Sequence, residues 1–465
     1  RDSGVTGVQT CALPIFFLRR QIPPPVAAQV AALKLPGIGQ DKEYRRFYPT
    51  GEMTAHMVGF TGVDDKGLEG AELAFHGQLL GTPGSRSVIK DRRGQIVEDV
   101  GSVKPPQDGE DISLALDSKV QYLAYSQLKQ AIADSKAKAG GIVVLDARTG
   151  EILALANWPT YNPNNRESLS GGQLRNRALT DTFEPGSTLK PFTIALAMDT
   201  GKVRFDTQIN CAPGRLQIGG ATISDTHRYG VLTVAEVIQK SSNVGSSKIA
   251  AMLPAQAMWE MFHSVGFGEV PRLGFPGEVS GRLRPWKSWR PIEQATMSFG
   301  HGLSVSLIQL ARAYSVFARD GDLVPLSLTR VGAAKPRGTQ VFSPQTAREV
   351  RAMLEMAVRP GGTAPKAQIP GYRVAGKTGT ARKLENGRYT TTKYVASFVG
   401  FAPASDPRLI VAVLIDEPRG KYYGGEVAAP VFASVMAGTL RTLGIAPDAP
   451  LEVAQGAKPA VKARL

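Results

Sequence analysis

Two pairs of apolar runs, far apart along the chain, predict two β-hairpins of one sheet. Gly141–Leu145 and Glu151–Leu155 are separated by a short polar turn, which is typical of a hairpin. Near the other end, Ala396–Phe401 and Leu409–Leu414 flank an Asp-Pro turn and predict a second hairpin. Because long stretches of helical pattern separate these hairpins, we expect distant segments to meet in one sheet.

Helical periodicity dominates the segments around and between these strands. Ile112–Leu116 alternates like a further strand, and Asp117 then predicts the N-cap of a helix. The apolar positions of that helix fall on one face: Val120, Leu123, Ala124, Leu128 and Ile132. Ala429–Leu443 predicts a buried helix near the other end. We therefore expect an α+β fold, with helices packed on a central antiparallel sheet.

Length and composition predict more than one domain. The chain has 465 residues, 32 prolines and 50 glycines, which suits two or three domains with many turns. Residues 16–110 are polar, Gly-rich and short on long periodic helices, so we expect them to form a separate N-terminal domain, with Val103–Gly109 as a linker. Residues 111–446 would form the main domain. Residues 447–465 are rich in Ala, Pro and Lys and predict a disordered tail.

The charge balance restricts the function classes. There are 55 Lys and Arg against 40 Asp and Glu, giving a formal net charge of +15. A basic surface suits nucleic acid, an anionic membrane or an acidic polymer. No nucleic-acid motif is present, so we expect no nucleic-acid partner. The two cysteines, Cys11 and Cys211, and the five scattered histidines show no metal-ligand spacing, so we expect neither a metal nor another cofactor.

The first fifteen residues are set apart from the rest. Val5–Ile15 resembles translated sequencing-adapter DNA, so we exclude residues 1–15 from fold predictions, together with Cys11. No apolar run approaches the ~18 residues that a membrane span needs.

A serine and a lysine three residues apart, Ser187 and Lys190, form the first candidate catalytic pair. Four Ser-x-x-Lys patterns occur, but only this one follows a Pro-Gly turn and opens an apolar helical run, Phe192–Met198. Residues i and i+3 share one helix face, so the hydroxyl and the amine can touch. A serine nucleophile needs such a base, and lysine serves only when it is neutral. Because the pKa of a free lysine is ~10.4, neutrality at pH 7 costs about 4 kcal/mol. Burial and a second cation both lower that pKa, and Lys377 is the candidate cation.

Two further motifs complete a candidate site. Ser241 and Asn243 are two residues apart, so both face one site only if the helix breaks between them. Thr233–Glu236 predicts a capping box before this break. Ser241 could relay a proton to a leaving amine, and Asn243 could hold Lys190 and a substrate amide.

Lys377–Thr380 lies at the end of a predicted strand, Tyr372–Lys377. Gly379 has no side chain, so a substrate backbone could lie against it and pair with the strand edge. Lys377, Thr378 and Thr380 offer a cation and two hydroxyls to a terminal carboxylate.

In this order, Ser-x-x-Lys, Ser-x-Asn and Lys-Thr-Gly are similar to the motifs of penicillin-binding proteins and serine β-lactamases. From about Arg20 to Gly444 the chain resembles class B penicillin-binding proteins, and within them the septal transpeptidases of Gram-negative bacteria. Further matching strings carry the resemblance: Arg45–Pro49, Gly59–Val63, Gly67–Glu72, Lys90–Gly94, Tyr161–Asn164, Phe299–Leu303 and Tyr422–Gly425.

The resemblance implies a penicillin-binding transpeptidase domain over residues 111–446, beside a partial, β-rich pedestal domain of the dimerisation type over residues 16–110. It implies that Ser187 attacks the D-Ala-D-Ala end of a peptidoglycan stem peptide, and that an amine of a neighbouring peptide resolves the acyl-enzyme. Penicillins would acylate the same serine. The backbone N–H groups of Ser187 and Thr380 would form the oxyanion hole. Division-complex membrane proteins and a septal glycosyltransferase are the implied partners. The implied location is the inner membrane, with a single span missing from this sequence and the catalytic domain in the periplasm.

Three alternatives remain open at this stage. A serine β-lactamase or a D,D-carboxypeptidase on the same scaffold would carry the same motifs but hydrolyse the acyl-enzyme. The chain could instead be mainly a scaffold that recruits division proteins through residues 16–110. Tyr422 and Tyr423 could form an aromatic wall beside the site, or could simply be residues of a sheet edge.

Overall fold

The computed structural model of the protein describes residues 16–92, 96–167, 169–332, 336–385 and 387–450. The adapter-like residues 1–15 and most of the predicted tail, residues 451–465, lie outside this set. Part of the Lys90–Gly94 string does so as well.

A five-stranded antiparallel sheet forms the centre of the C-terminal part of the chain. Its strands are β1 (Ala139–Asp146), β2 (Ile152–Trp158), β3 (Ala375–Glu385), β4 (Arg388–Ala402) and β5 (Leu409–Asp416), in the order β3-β4-β5-β1-β2. Both predicted hairpins are confirmed, as β1-β2 and β4-β5. They join through β5 and β1, whose register runs from Leu409 opposite Asp146 to Asp416 opposite Ala139.

Helices cover both faces of this sheet, which explains why β1, β2 and β5 are almost continuously buried. The main helices are α1 (Ser118–Ser135), α2 (Lys190–Asp199), α3 (Val234–Lys240), α4 (Asn243–Ala250), α5 (Pro344–Val358) and α6 (Ala429–Thr442). On one face, buried residues of α1 and α6 share a core with the sheet. On the other face, α2, α3, α4 and α5 build the larger core. The predicted α+β class is confirmed.

Local sequence explains where these helices begin. The Asp117 carboxylate accepts hydrogen bonds from the N–H groups of Lys119 and Val120, at 2.9 and 3.0 Å, and so caps α1 as predicted. Thr233 and Glu236 form the predicted capping box of α3.

The strand predicted at Ile112–Leu116 is wrong. The segment makes only an isolated bridge, between Leu114 and Thr329. The N–H of Asp117 does bond to Leu153 of β2, at 2.9 Å, but the chain turns into α1 at that point and no ladder can continue.

The N-terminal part holds short elements against the sheet domain. Its strands are Phe60–Thr61, Gly67–Glu69, Ser85–Lys90 and Ile96–Lys104, and its helices are Pro24–Ala32, Ala55–Val58, Gly70–Ala74 and His76–Leu79, with a 3₁₀ turn at Gly51–Met53. Val103 and Lys104 therefore end a strand and are not part of a linker as predicted.

A reciprocal amide contact fastens this part to the sheet domain. Asn164 accepts from the backbone N–H of Tyr48, at 2.9 Å, and donates to the carbonyl of the same residue, at 2.8 Å. Tyr48, Ala55, Phe60 and Tyr161 form a small shared core beside it. The strings Arg45–Pro49 and Tyr161–Asn164 thus meet in one contact.

The remaining elements connect the main ones. They are the helices Gly171–Leu174, Arg177–Thr180, Ala255–Ser264, Pro291–Met297, Leu307–Ala313, Ser315–Ala318 and Gly424–Val427, the 3₁₀ turns Gly186–Leu189, Trp286–Ser288 and Pro365–Ala367, and the strands Thr182–Phe183, Gln208–Asn210, Arg215–Ile218, Ala221–Ser224, Val231–Thr233, Val305–Ser306, Asp322–Leu323 and Thr339–Gln340. Within the described residues, no helix is both long enough and apolar enough to cross a bilayer.

Candidate active site

Ser187 and Lys190 touch because a tight 3₁₀ turn, Gly186–Leu189, leads directly into α2. Side chains at i and i+3 eclipse in a 3₁₀ turn, more closely than on an α-helix. The Lys190 Nζ lies 2.9 Å from the Ser187 Oγ. The predicted contact is therefore present, but its local cause is a 3₁₀ turn and not the start of an α-helix.

The break between Ser241 and Asn243 brings both residues to the same amine. Helix α3 ends at Lys240, Ser241 adopts the left-handed conformation with φ of 62°, and α4 begins at Asn243. The Lys190 Nζ then lies 2.6 Å from the Ser241 carbonyl oxygen, 3.0 Å from its Oγ and 2.8 Å from the Asn243 Oδ1. The corner expected from the spacing of these two residues is what the structure shows.

The partners of Lys190 suit a neutral amine. The Ser241 carbonyl and the Asn243 Oδ1 can only accept, so they take both N–H bonds of a neutral amine. The lone pair of the nitrogen is then left for a hydroxyl hydrogen, and the Ser187 hydroxyl lies within reach. This is the arrangement of a base beside a serine nucleophile.

Burial and a nearby cation favour that neutral form. Lys190 is fully buried, and burial lowers its pKa well below the ordinary lysine value. The charge of Lys377 lowers this pKa further, while the Asp225 carboxylate raises it.

Lys377 is a second buried amine beside the same hydroxyl. Its Nζ lies 3.0 Å from the Ser241 Oγ, so both lysines contact one oxygen. Burial lowers the pKa of Lys377 to about 7. The sequence suggested a fixed cation here, but the pKa makes Lys377 a group that titrates near neutrality.

The Lys-Thr-Gly-Thr segment lies in the first half of β3, which starts at Ala375 and runs on to Glu385. The prediction that it ends a strand is therefore wrong. Among the described strands β3 pairs with β4 alone, so its other edge carries no strand partner. Thr378 donates to the Thr363 Oγ1 at 3.1 Å, and the Thr380 Oγ1 accepts from the N–H of Gly424 at 3.0 Å.

Gly379 is required for a reason that the sequence did not reveal. A Cβ at this position would lie 2.6 Å from the Pro185 carbonyl oxygen and 2.3 Å from the Ser397 Oγ. The backbone that lies against Gly379 on this face of the sheet is therefore the protein's own turn at Ser187. The pairing of a substrate backbone with the strand edge stays a prediction.

The backbone of Thr380 lies beside the turn that carries Ser187. A Cβ on Gly186 would lie 3.5 Å from the Thr380 nitrogen, which places the Thr380 backbone next to the neighbour of Ser187. Gly300 closes the other side, where its carbonyl accepts from the N–H of Gly186 at 3.2 Å.

An open cleft of about 1800 Å³ leads to these groups. Predicted site residues that line it are Ser187, Ser241, Asn243, Thr378, Thr380, Tyr422 and Tyr423. Lys190 and Lys377 lie behind this surface, where both are fully buried.

Tyrosines form one wall of the cleft. The rings of Tyr394 and Tyr422 stack with centroids 4.1 Å apart, and Tyr423 lies 4.6 Å from Tyr422. Since β5 ends at Asp416, Tyr422 and Tyr423 belong to the following loop. The alternative that they are sheet-edge residues is therefore wrong.

Comparison with known proteins identifies the family to which the chain belongs. Residues 140–437 match the family described as penicillin binding protein transpeptidase domain. The chain belongs to this family. Residues 15–114 match the penicillin-binding protein dimerisation domain, so the chain combines both domains of the class B proteins.

Relatives align over most of the chain. The probable peptidoglycan D,D-transpeptidase PenA of Neisseria gonorrhoeae is 50% identical over 442 residues, which cover 94% of this chain and 76% of that protein. The peptidoglycan D,D-transpeptidase FtsI of Escherichia coli K12 is 46% identical over 436 residues, covering 93% of this chain and 73% of that protein.

Solved structures show the same transpeptidase fold. The transpeptidase domain of penicillin-binding protein 3 from Burkholderia pseudomallei, in its apo form, superposes with a TM-score of 0.68 at 50% identity. The superposed region covers 73% of this chain and 98% of the Burkholderia pseudomallei chain.

The structure adds groups to this penicillin-binding site that the sequence did not single out. Glu184 accepts from the Gly302 N–H at 2.8 Å and from the Tyr389 hydroxyl at 3.0 Å, and it lies 3.1 Å from the His301 Nδ1. Asp225 lies behind Asn243. The Phe299–Leu303 string contains His301 without assigning it a role, and no local pattern marks Glu184 or Asp225, because the hydrogen-bond partners of their side chains are more than fifteen residues away.

Replacing Gly379 by Ala should slow acylation of Ser187 by benzylpenicillin at least tenfold. The added methyl group must displace the Pro185 carbonyl, and even a small shift of the catalytic turn disturbs a reacting geometry. Stopped-flow or mass-spectrometric acylation rates would measure this. Gly171→Ala is the control, since nothing lies within 4 Å of its Cβ. Equal rates for both variants would contradict the packing argument.

Proposed function

We propose that this protein is a peptidoglycan D,D-transpeptidase that cross-links stem peptides through an acyl-enzyme on Ser187. The observation that carries the proposal is the Lys190 amine, which is buried, satisfied by two obligate acceptors and 2.9 Å from the Ser187 Oγ. The activity named for the PenA and FtsI relatives agrees with it.

In the acylation step, the lone pair of Lys190 takes the hydroxyl proton as the Ser187 Oγ attacks the penultimate D-Ala carbonyl. The backbone N–H groups of Ser187 and Thr380 stabilise the oxyanion. The proton passes from Lys190 to the Ser241 hydroxyl, 3.0 Å away, while Ser241 gives its own proton to the departing D-Ala nitrogen. The C–N bond breaks and free D-Ala leaves.

The remaining groups bind the donor peptide. Protonated Lys377, with the hydroxyls of Thr378 and Thr380, attracts the terminal carboxylate. Its ammonium also donates to the Ser241 Oγ, which orients that hydroxyl within the relay. The Asn243 amide holds Lys190 and a substrate amide, and Gly379 admits the catalytic turn against β3. Tyr422 and Tyr423 offer an apolar wall to the peptide or to an antibiotic side chain.

In the second step an acceptor amine attacks the ester carbonyl. Its proton passes through Ser241 and Lys190 back to the Ser187 Oγ as the ester bond breaks, which reverses the first relay. The amine therefore leaves in an amide cross-link and the enzyme returns to its initial state.

The cellular setting is part of the proposal. The FtsI relative and the dimerisation domain support a role at the division septum, with the catalytic domain in the periplasm and an anchor in the inner membrane. We propose division-complex membrane proteins and a septal glycosyltransferase as partners, contacted through the N-terminal domain.

Ser187→Ala should abolish covalent labelling by benzylpenicillin, because no other group replaces the nucleophile. Intact mass after incubation, followed by peptide mapping, measures the adduct. On the unmodified protein the adduct should persist for many minutes. Turnover within seconds would instead identify a hydrolase of the β-lactamase or carboxypeptidase type, and labelling of Ser187→Ala would refute the nucleophile.

Lys190→Ala should reduce the acylation rate at least a hundredfold, the usual scale for a positioned base. Lys129→Ala is the matched control, because Lys129 belongs to another Ser-x-x-Lys pattern and its amine lies against the rings of Tyr125 and Trp158, away from Ser187. An unchanged rate in Lys190→Ala would move the base role to another residue.

The second-order rate constant for acylation by benzylpenicillin should follow a bell-shaped pH profile. Lys190 acts only when neutral, so the rate rises as pH climbs through its lowered pKa. Lys377 attracts a carboxylate only when charged, so the rate falls as pH rises through about 7, the pKa of Lys377. At saturating benzylpenicillin the bound carboxylate raises that pKa, and the descending limb should move to higher pH. A descending limb at the same pH under both conditions would contradict this role of Lys377.

A further inference from the structure

We infer that Asp225 is a positioning residue of this reaction, which holds the Ser241–Asn243 corner against Lys190 and places a negative charge near that amine. The inference deepens the proposed function and rests on it. Asp225 belongs to none of the three motifs and lies just after the strand Ala221–Ser224.

The Asp225 carboxylate binds the corner at three points. Its Oδ1 accepts from the backbone N–H groups of Asn243 and Val244, the latter at 3.0 Å. Its Oδ2 accepts from the Ser242 hydroxyl at 2.7 Å. A carboxylate at the N-terminus of α4 is also favoured by the helix dipole. The whole start of α4 is therefore tied to a segment from outside the motif.

This contact is more than an ordinary helix cap. Ser242 already caps α4, because its Oγ accepts from the Gly245 N–H at 2.8 Å. Asp225 adds a second layer that fixes Ser242 itself. Directly before it, Ser241 has a φ of 62°, a left-handed conformation that is unfavourable for a residue with a Cβ. The hydrogen bonds to Asp225 offset this strain and keep the Ser241 carbonyl and hydroxyl turned towards Lys190.

The neighbouring residue aims the amide of Asn243. The Ser224 carbonyl accepts from the Asn243 Nδ2 at 3.0 Å, so the Oδ1 must face the other way. That oxygen lies 2.8 Å from the Lys190 Nζ. Ser224 and Asp225 together therefore grip both the side chain and the backbone of the residue that holds the base.

The charge of Asp225 acts on Lys190 through space. Burial of Lys190 and the charge of Lys377 on β3 both lower the pKa of Lys190. The charge of Asp225 raises that pKa. Asp225 also faces the buried Cys211 thiol and the Tyr229 hydroxyl, and it raises the pKa of both. Lys248 on α4 acts on Cys211 in the opposite sense. Without the carboxylate, Lys190 would lose its proton at a lower pH.

The test compares Asp225→Asn with Ser242→Ala by measuring benzylpenicillin acylation across pH. Asp225→Asn should lower the maximal acylation rate at least tenfold. The NH2 group of the new amide cannot accept the hydrogen bonds that the corner donates to the carboxylate oxygens. Its ascending limb should also move to lower pH by about half a unit or more, since a charge near Lys190 is gone. Ser242→Ala removes the hydrogen bonds of the Ser242 Oγ to Asp225 and Gly245 but no charge, so its rate should fall while its ascending limb stays in place.

Each outcome is decisive. If Asp225→Asn has the same maximal rate as the unmodified protein and its rate rises over the same pH range, the inference is overturned. A rate loss without a displaced limb would reduce Asp225 to a structural residue and overturn the charge role. Should Asp225→Asn fail to fold by circular dichroism, Asp225→Glu replaces it. That variant keeps the charge, so its limb should stay while its rate falls, and a displaced limb or an unchanged rate would refute the inference. If the unmodified protein forms no adduct on Ser187, the proposed function fails, and not this inference alone.

Discussion

The structure depends on keeping a lysine amine neutral inside protein. Lys190 has no exposed surface, and a charged ammonium at such depth is strongly disfavoured unless it is paired. Here the partners within hydrogen-bond distance are neutral oxygens of Ser187, Ser241 and Asn243. They satisfy an amine without compensating a full charge. The same burial that makes the site costly to fold therefore makes the nucleophile reactive.

The sheet order explains how three distant motifs reach this amine. Strand β3 lies at the edge of the sheet, so one side of Lys377–Thr380 is free of strand pairing. The turn of Ser187 packs on the face of β3 at Gly379, which permits the contact because the Pro185 carbonyl occupies the space of a side chain. Helices α3 and α4 then supply the corner from the other direction. Each motif is placed by a different kind of structure: a 3₁₀ turn, a broken helix and a strand edge.

The sequence predicted the parts whose causes are local. The hairpins, the Asp117 cap and the break at Ser241 follow from residues close to one another in the chain, and the structure contains all of them. The strand at Ile112–Leu116 failed because the start of α1 ends the segment before a ladder can form. The purpose of Gly379 and the presence of Asp225 and Glu184 could not be predicted. They depend on contacts between segments that only the tertiary fold brings together.

Two carboxylates frame the site without touching the nucleophile. Asp225 gathers the N–H groups at the start of α4, and Glu184 gathers His301, the Gly302 N–H and Tyr389 on the other side of the Ser187 turn. Burial raises the pKa of Glu184, but the hydrogen bonds from His301 and Gly302 outweigh it and leave that pKa below its usual value. Asp225 is thus stabilised by donors at the start of α4, and Glu184 by donors in the Gly302 loop and on β4. Asp225 thus holds the corner beside Lys190, and Glu184 holds the loop of His301 and Gly302 against the Ser187 turn.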